Sequence, residues 1–312
     1  MRRAAVDVGS NSLLLTVAEL RGGRWEPVFE RAAVTGLGEG TKQSGLLGEA
    51  PMLRSLAALK EMFAQARDLE AKEICAAGTM ALRIASNTGE FLERAARQGT
   101  PVVVLSGESE AELGLRAVTE DPTFSGHERL TVIDVGGHST ELTNARIEGG
   151  WERAFGRSFS MGTLGLRGTL DSPGMLPGER FEPKALLRAI EWIDETIGLE
   201  FLPGACGEAV ALGATGVNLV CIRDAIVPFS PERVHGQMLT YEEISRAVSF
   251  LGALSDAERA ALPGIEAGRE GTIHLGALIL ERVLHAVHAD WCRVSVRGWR
   301  HALISAGSVP DL

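Results

Sequence analysis

Strand-like runs separated by glycine open the chain. Ala4–Val8 and Leu13–Leu20 are mostly apolar and Trp25–Val34 is a further strand-like run, with Gly9-Ser10-Asn11-Ser12 and Gly22-Gly23 between them, which predicts a β-meander. Leu53, Leu56, Leu59, Met62, Phe63 and Ala66 recur at helical spacing and predict a helix over Leu53–Leu69, leading into a short strand, Glu73–Ala77. A helix over Thr88–Gln98, a buried strand over Pro101–Leu105 and a helix over Glu108–Val118 follow. The pattern then stops in the turn formers Asp121-Pro122-Thr123-Phe124-Ser125-Gly126, which mark a domain boundary. The expected units are 1–126 and 127–312.

Beyond that boundary the meander returns. Leu130–Val135, Thr140–Ala145 and Trp151–Ser160 read as strands, separated by Gly136-Gly137-His138-Ser139 and by Gly149-Gly150. Asp7-Val8-Gly9-Ser10-Asn11-Ser12 aligns with Asp134-Val135-Gly136-Gly137-His138-Ser139, 127 residues later, so strand, turn and strand recur in one order at a domain-sized interval. This is the signature of an internal duplication. The remainder is mostly helical: Glu182–Ile197, a strand Glu208–Leu212 ending in Gly213-Ala214-Thr215-Gly216, then Thr240–Leu251, Ser255–Ala261, Gly268–His288 and a strand and helix from Cys292 to Ile304.

Composition narrows the chemistry. The 312 residues are 45% hydrophobic and 23% charged, with 31 basic against 41 acidic residues and a net charge of −10, so most of the surface repels a nucleic-acid backbone. Asp7 and the Gly-Ser-Asn run interrupt the N-terminal apolar stretch, and Ile273–Val287 is broken by His274, Glu281, Arg282 and His285, so neither a signal peptide nor a membrane span is expected. Four scattered cysteines (Cys75, Cys206, Cys221, Cys292) suit reduced packing residues in a cytoplasmic protein. His285 and His288 lie three apart without an acidic companion and read as solvated or satisfied histidines rather than a metal pair.

Either Gly-Ser turn alone is an ordinary hairpin turn. Two of them, each entered by an aspartate, offer backbone N–H groups and hydroxyls that would clamp adjacent phosphates across an interdomain cleft. Asp7 and Asp134 would then be placed for a divalent cation, directly or through water.

In order along the chain, Asp7–Ser12, Ala81-Leu82-Arg83 with Asn87, Ser106-Gly107-Glu108-Ser109-Glu110-Ala111 and Ile133–Leu142 resemble the exopolyphosphatase/guanosine pentaphosphate phosphatase (Ppx/GppA) family. Met161-Gly162, Gly213–Gly216, Leu262-Pro263-Gly264, Gly276–Leu280 and Arg297-Gly298-Trp299-Arg300 continue the likeness. The resemblance implies an α/β protein of two duplicated actin-like ATPase (ribonuclease H-like) domains, of the family's short form, that removes a terminal phosphate with water and Mg²⁺. The substrate it implies is polyphosphate first and a guanosine alarmone, guanosine pentaphosphate, second; a homodimer is compatible with it.

Carried over residue by residue, the resemblance makes Glu110 the group that activates water, Glu141 a positioner of water and metal alongside Asp7 and Asp134, and Arg83 the positive charge near phosphate. Gly9, Ser10, Asn11, Ser12, Gly136, Gly137, His138 and Ser139 become the phosphate-binding turns. Each has a plainer reading: Glu110 as a carboxylate opposing a helix dipole, Glu141 as a solvent-facing strand residue, Arg83 as a surface helix residue. Gly213–Gly216 is either a ligand-facing loop or the start of a helix. Gly36, Ser109, His138, Val217, Gly271 and Val296 depart from the family pattern. His138 is the sharpest departure, since a Cβ in the turn would crowd phosphate or an imidazolium would contact it. A phosphate-binding sensor that has lost hydrolysis is the alternative these departures raise.

Overall fold

The computed structural model describes residues 1–147, 150–170, 180–202 and 204–307, and the chain falls into two compact units. The first is built from β1 (Arg2–Val8), β2 (Ser12–Arg21), β3 (Arg24–Val34), α1 (Thr41–Ser44), α2 (Glu49–Asp68), β4 (Glu73–Gly78), α3 (Met80–Ile84), α4 (Thr88–Arg97), β5 (Val103–Val104) and α5 (Gly107–Thr119). The second holds β6 (Arg129–Val135), β7 (Thr140–Ile147), β8 (Trp151–Phe159), α6 (Thr163–Leu170), α7 (Pro183–Ile197), β9 (Glu208–Leu212), α8 (Gly213–Arg223), α9 (Pro231–Val234), β10 (Met238–Thr240), α10 (Tyr241–Gly252), α11 (Asp256–Ala260), α12 (Ile273–Ala286) and β11 (Trp291–Val294). A last helix, α13 (Trp299–Ala306), belongs to the first unit.

Among the described residues the first unit has a five-stranded sheet in the order β3-β2-β1-β4-β5 and the second a six-stranded sheet in the order β10-β11-β9-β6-β7-β8. In each, the first two hairpins are antiparallel and the next strand returns parallel to the first. The meander followed by parallel strands is the actin-like ATPase arrangement, present twice. Even the irregularities repeat: β3 bulges at Val28, skipped between the Val17 and Ala18 pairs, and β8 at Ala154, skipped between the Asn144 and Ala145 pairs, the same step in each copy. Gly149 of the second Gly-Gly signal lies outside the described residues.

Central strands are buried on both faces, which is why Ala4–Val6 and Leu130–Ile133 read as near-continuous apolar runs. One core of the first unit packs Val6, Val8, Leu13 and Leu15 against Leu56, Leu59, Met62 and Phe63 of α2. On the opposite face Ala5, Ala18 and Ala77 meet Leu113 of α5 and Trp299, Leu303 and Ile304 of α13. In the second unit, α12 is buried along almost its whole length within a core that includes Ile133, Leu142, Ala211 and Ile193.

The domain boundary needs correction. The first unit is Met1–Ala117 together with Trp299–Leu312, and the second is Val118–Gly298, so the division precedes the expected 126/127 and the last helix changes side. The reason is packing: α13 buries Trp299, Ala302, Leu303 and Ile304 against first-unit residues, and Arg300 and His301 bond Glu30 of β3. Local differences are smaller. Pro101–Leu105 pairs only at Val103–Val104. The helix expected from Gly268 begins at Ile273, since Gly268 holds φ 88°. His288 follows α12 at φ 52° and pairs with Glu200 at 3.0 Å. Among the described residues no helix is long and apolar enough to cross a membrane.

Candidate active site

The two Gly-Ser turns have one construction. Gly9 N–H donates to Ser12 O at 3.1 Å and Gly136 N–H to Ser139 O at 2.9 Å, closing the hairpins between Val8/Leu13 and Val135/Thr140. Glycine is required for closeness: a Cβ on Gly9 would lie 2.8 Å from Ser12 O, and one on Gly136 3.0 Å from Ser139 O. Ser10, Asn11, Ser12, His138 and Ser139 are all buried. His138 stays outside the left-handed region, so the turn takes its Cβ without backbone strain.

The first turn rests on a strap that the sequence patterns do not single out. Thr35 and Gly36 N–H donate to Asn11 O at 3.0 and 2.9 Å, and Gly38 N–H to Ser10 O at 2.7 Å. Asn87 fastens the far end of the strap, accepting from Leu47 N–H at 2.8 Å and donating to Leu47 O at 3.0 Å. Asn87 is therefore a loop anchor. Asn11 itself is buried, and its Nδ2 donor has no hydrogen-bond partner. A buried donor left this way costs roughly 1–3 kcal/mol, which an anionic ligand at the turn would recover.

The second turn is braced differently. Thr163 N–H donates to Gly136 O at 3.0 Å and Leu164 N–H to Gly137 O at 2.7 Å, so the start of α6 holds the turn from behind. Gly162 permits this, because a Cβ there would lie 2.4 Å from Gly137 C and 2.5 Å from His138 N. Gly213 opens α8 rather than a loop, at φ 77°, and a Cβ on it would stand 2.8 Å from Asp134 Oδ1. Of the two readings of Gly213–Gly216 the structure has the helix start, while α3, five residues after Thr79, is too short to show apolar spacing.

Glu110 and Arg83, 27 residues apart, meet. Arg83 Nη1 donates to Glu110 Oε2 at 2.8 Å and to Leu105 O at 2.9 Å. α3 follows β4 and α5 follows β5, so both groups stand beyond the carboxyl ends of the parallel strands, the edge where α/β sheets place ligands. Ser106 Oγ accepts from Ser109 N–H at 3.0 Å, so Ser109, one of the departures from the family pattern, locks the first turn of α5. Glu110 is buried, and burial pushes its pKa above the ordinary carboxylate value while the Arg83 guanidinium opposes the rise. The result is a carboxylate more basic than one in water and held in one orientation.

In the second unit Asp134, Glu141 and Ser158 are register partners on β6, β7 and β8 and so share one face. Ser158 Oγ donates to Glu141 Oε1 at 2.7 Å, and Glu141 is buried. Nothing in the residue types around Ser158 signalled that role; only strand register reveals it.

The model described as the Ppx/GppA phosphatase family matches residues 16–307. The chain belongs to that family. Exopolyphosphatase 1 of Mycobacterium tuberculosis is 28% identical over 310 residues, which cover 97% of this chain and 87% of the relative. A solved structure of the Aquifex aeolicus Ppx/GppA family member is 27% identical, with a TM-score of 0.78 over 98% of this chain and 97% of its own. An exopolyphosphatase structure from Cytophaga hutchinsonii, at 21% identity and a TM-score of 0.86 over 98% of this chain and 97% of its own, shares the fold.

As a Ppx/GppA phosphatase the protein retains acidic residues at both strand ends. Among the described residues no group of three or more His, Cys, Asp or Glu side chains is arranged to hold a metal ion. Asp134 and Glu141, opposed across β6 and β7, are an all-oxygen pair of the kind Mg²⁺ accepts, since that ion completes its shell with water and substrate phosphate. At Gly271, one of the departures from the family pattern, the space a side chain would need is taken by Arg167, whose Nη1 donates to Gly271 O at 2.7 Å.

Proposed function

We propose that the enzyme releases the terminal phosphate of inorganic polyphosphate by attack of water. The observation that carries the hydrolase reading is the pairing of the half-buried Arg83 with the buried Glu110. Glu110, kept basic by burial and oriented by Arg83, takes the proton of the attacking water, and Arg83 balances the negative charge gathered around it. The Gly9–Ser12 and Gly136–Ser139 turns bind phosphate oxygens through backbone N–H and hydroxyl donors, with Asn11 Nδ2 supplying a side-chain donor in the first. Asp134 and Glu141 would hold Mg²⁺, which when bound neutralises charge on the phosphate oxygens. Polyphosphate is preferred because the mycobacterial relative, similar along nearly the whole chain, is an exopolyphosphatase. Four free thiols, three of them buried, support a reducing compartment such as the cytoplasm.

The test is phosphate release from long-chain polyphosphate and, in parallel, from guanosine pentaphosphate, each with Mg²⁺ and with chelator. Mg²⁺-dependent release from polyphosphate that is abolished in Glu110→Gln is the expected result. Release confined to guanosine pentaphosphate would move the substrate. Binding of either compound without release would leave a phosphate sensor, the outcome that overturns hydrolysis.

A further inference from the structure

β8 is the outermost strand of its sheet, and its face changes midway. From Phe159 back to Phe155 it pairs residue for residue with β7, giving Ser158 opposite Glu141 and Gly156 opposite Thr143. The bulge then skips Ala154, so that Arg153 pairs with Ala145. Without the bulge, residue 153 would face away from Gly156 and Ser158; with it, Arg153 joins them on the face that carries Asp134 and Glu141. The side chain follows that face. A Cβ on Gly156 would lie 3.0 Å from Arg153 Cδ, 3.4 Å from Nε and 3.6 Å from Cζ, so the guanidinium lies across the gap that glycine leaves. From there the Ser158–Glu141 pair is two strand residues away, about 7 Å. Arg153, Gly156 and Ser158 are exposed while Glu141 is buried, so the row leads from solvent to the buried carboxylate.

We propose that Arg153 is a substrate-binding residue that holds a phosphate of the polyphosphate chain beyond those at the Gly136–Ser139 turn. The assignment rests on the reading of the protein as a polyphosphate-directed enzyme. It explains two features together, a glycine that leaves the arginine room and a cationic head on the face of a carboxylate in a chain of net charge −10, while the bulge that brings Arg153 to that face is common to both units. A guanidinium suits the task, because it stays charged at every relevant pH and grips phosphate oxygens in a fork. It touches a remote phosphate, so it serves affinity for longer chains and leaves the reacting bond alone.

The experiment compares wild type with Arg153→Gln, Arg153→Lys and Gly156→Ala, using equilibrium binding of long-chain polyphosphate and steady-state phosphate release from long-chain polyphosphate and from tripolyphosphate. Arg153→Gln is expected to weaken long-chain binding and raise its KM about tenfold, the effect of one charge-assisted contact, with kcat held and tripolyphosphate unaffected. Lysine should restore part of the loss, and Gly156→Ala, which pushes the side chain off its path, should reproduce part of it. Equal KM in wild type and Arg153→Gln, or an equal loss on both substrates, overturns the assignment. Wild type that binds long chains but releases no phosphate removes the hydrolase reading, and binding to Arg153→Gln then decides Arg153 alone. Wild type that neither binds nor releases overturns both.

Discussion

Opposite Asp7 the first unit carries Leu14, and opposite Asp134 the second carries Glu141; two residues further along, on the same face, both carry threonine, Thr16 and Thr143. Strand order, turn and bulge coincide, yet the two faces are used differently. In the first copy Thr16 donates to Glu30 at 2.9 Å, Arg300 reaches both at 2.8 and 2.9 Å, and His301 closes on Glu30 at 3.0 Å, so the face is sealed by its own charges. In the second copy glycine stands opposite the threonine and the face stays open beside a buried carboxylate. Duplication supplied two scaffolds alike through the meander and the first parallel strand. Side chains at a few register positions made one a covered structural face and the other a chemical one, while the first unit placed its own carboxylate, Glu110, on α5 beyond the end of β5.

The most severe way to probe this division of labour is Glu110→Gln, which keeps shape and removes the base. Turnover should fall on the order of 10²- to 10⁴-fold with polyphosphate affinity retained. Because burial raises the Glu110 pKa, the carboxylate form is lost as pH falls through a value above the ordinary one, so kcat/KM of wild type should show an acid limb displaced upward from that of an exposed glutamate. A flat acid profile in single-turnover assays would remove Glu110 from the mechanism.

Glu141→Leu imports the first copy's residue into the second. Its expected cost is about 10²-fold in turnover with the fold intact by circular dichroism, and unchanged turnover would show that the two faces are equivalent after all.

The sealed face is tested by stability. Glu30 is held down to about 2 from 4.5: burial works against the charge, but His301, Arg300 and Thr16 together outweigh it. A depressed carboxylate stabilises the folded state above its unfolded value and loses that contribution as pH falls from about 4.5 to about 2. Glu30→Gln should cost roughly 2–3 kcal/mol in urea unfolding at pH 7 and much less near pH 2. A pH-independent difference would mean that shape rather than charge seals the face.

Gly162→Ala is expected to cost about 1–3 kcal/mol and to lower activity, since its Cβ would collide with the backbone of the second turn. Gly89→Ala, in open space on α4, should instead stabilise by about 0.4–1 kcal/mol. Equal shifts in melting temperature for the two would deny that the second turn is closely braced.

Much of this was legible in the chain. Period-two apolar runs cut by Gly-Ser and Gly-Gly turns betray a meander, and a meander repeated at a domain-sized interval betrays duplication, because both signals are local. Helices with capping serines and threonines were equally plain, and Thr240 and Ser255 each complete a capping box where helices were expected. Contacts between distant segments leave no such mark. Nothing in Arg83 or Glu110 announces that they touch, although the family likeness selected both. Ser158 and Arg153 become visible only once register and bulge are known. The side on which α13 packs escaped for the same reason: an amphipathic helix states that it must be buried and is silent about where.

That last helix bears on how the molecule is made. The second unit is one uninterrupted stretch of chain, whereas the first is assembled from the two ends. During synthesis from the N-terminus, Val118–Gly298 leaves the ribosome whole and can complete its core at once. The older segment meanwhile waits with Ala5, Ala18, Ala77 and Leu113 uncovered until Trp299, Leu303 and Ile304 emerge. The half made first is thus completed by the residues made last, and without Trp299–Ala306 it exposes an apolar face that the whole chain hides.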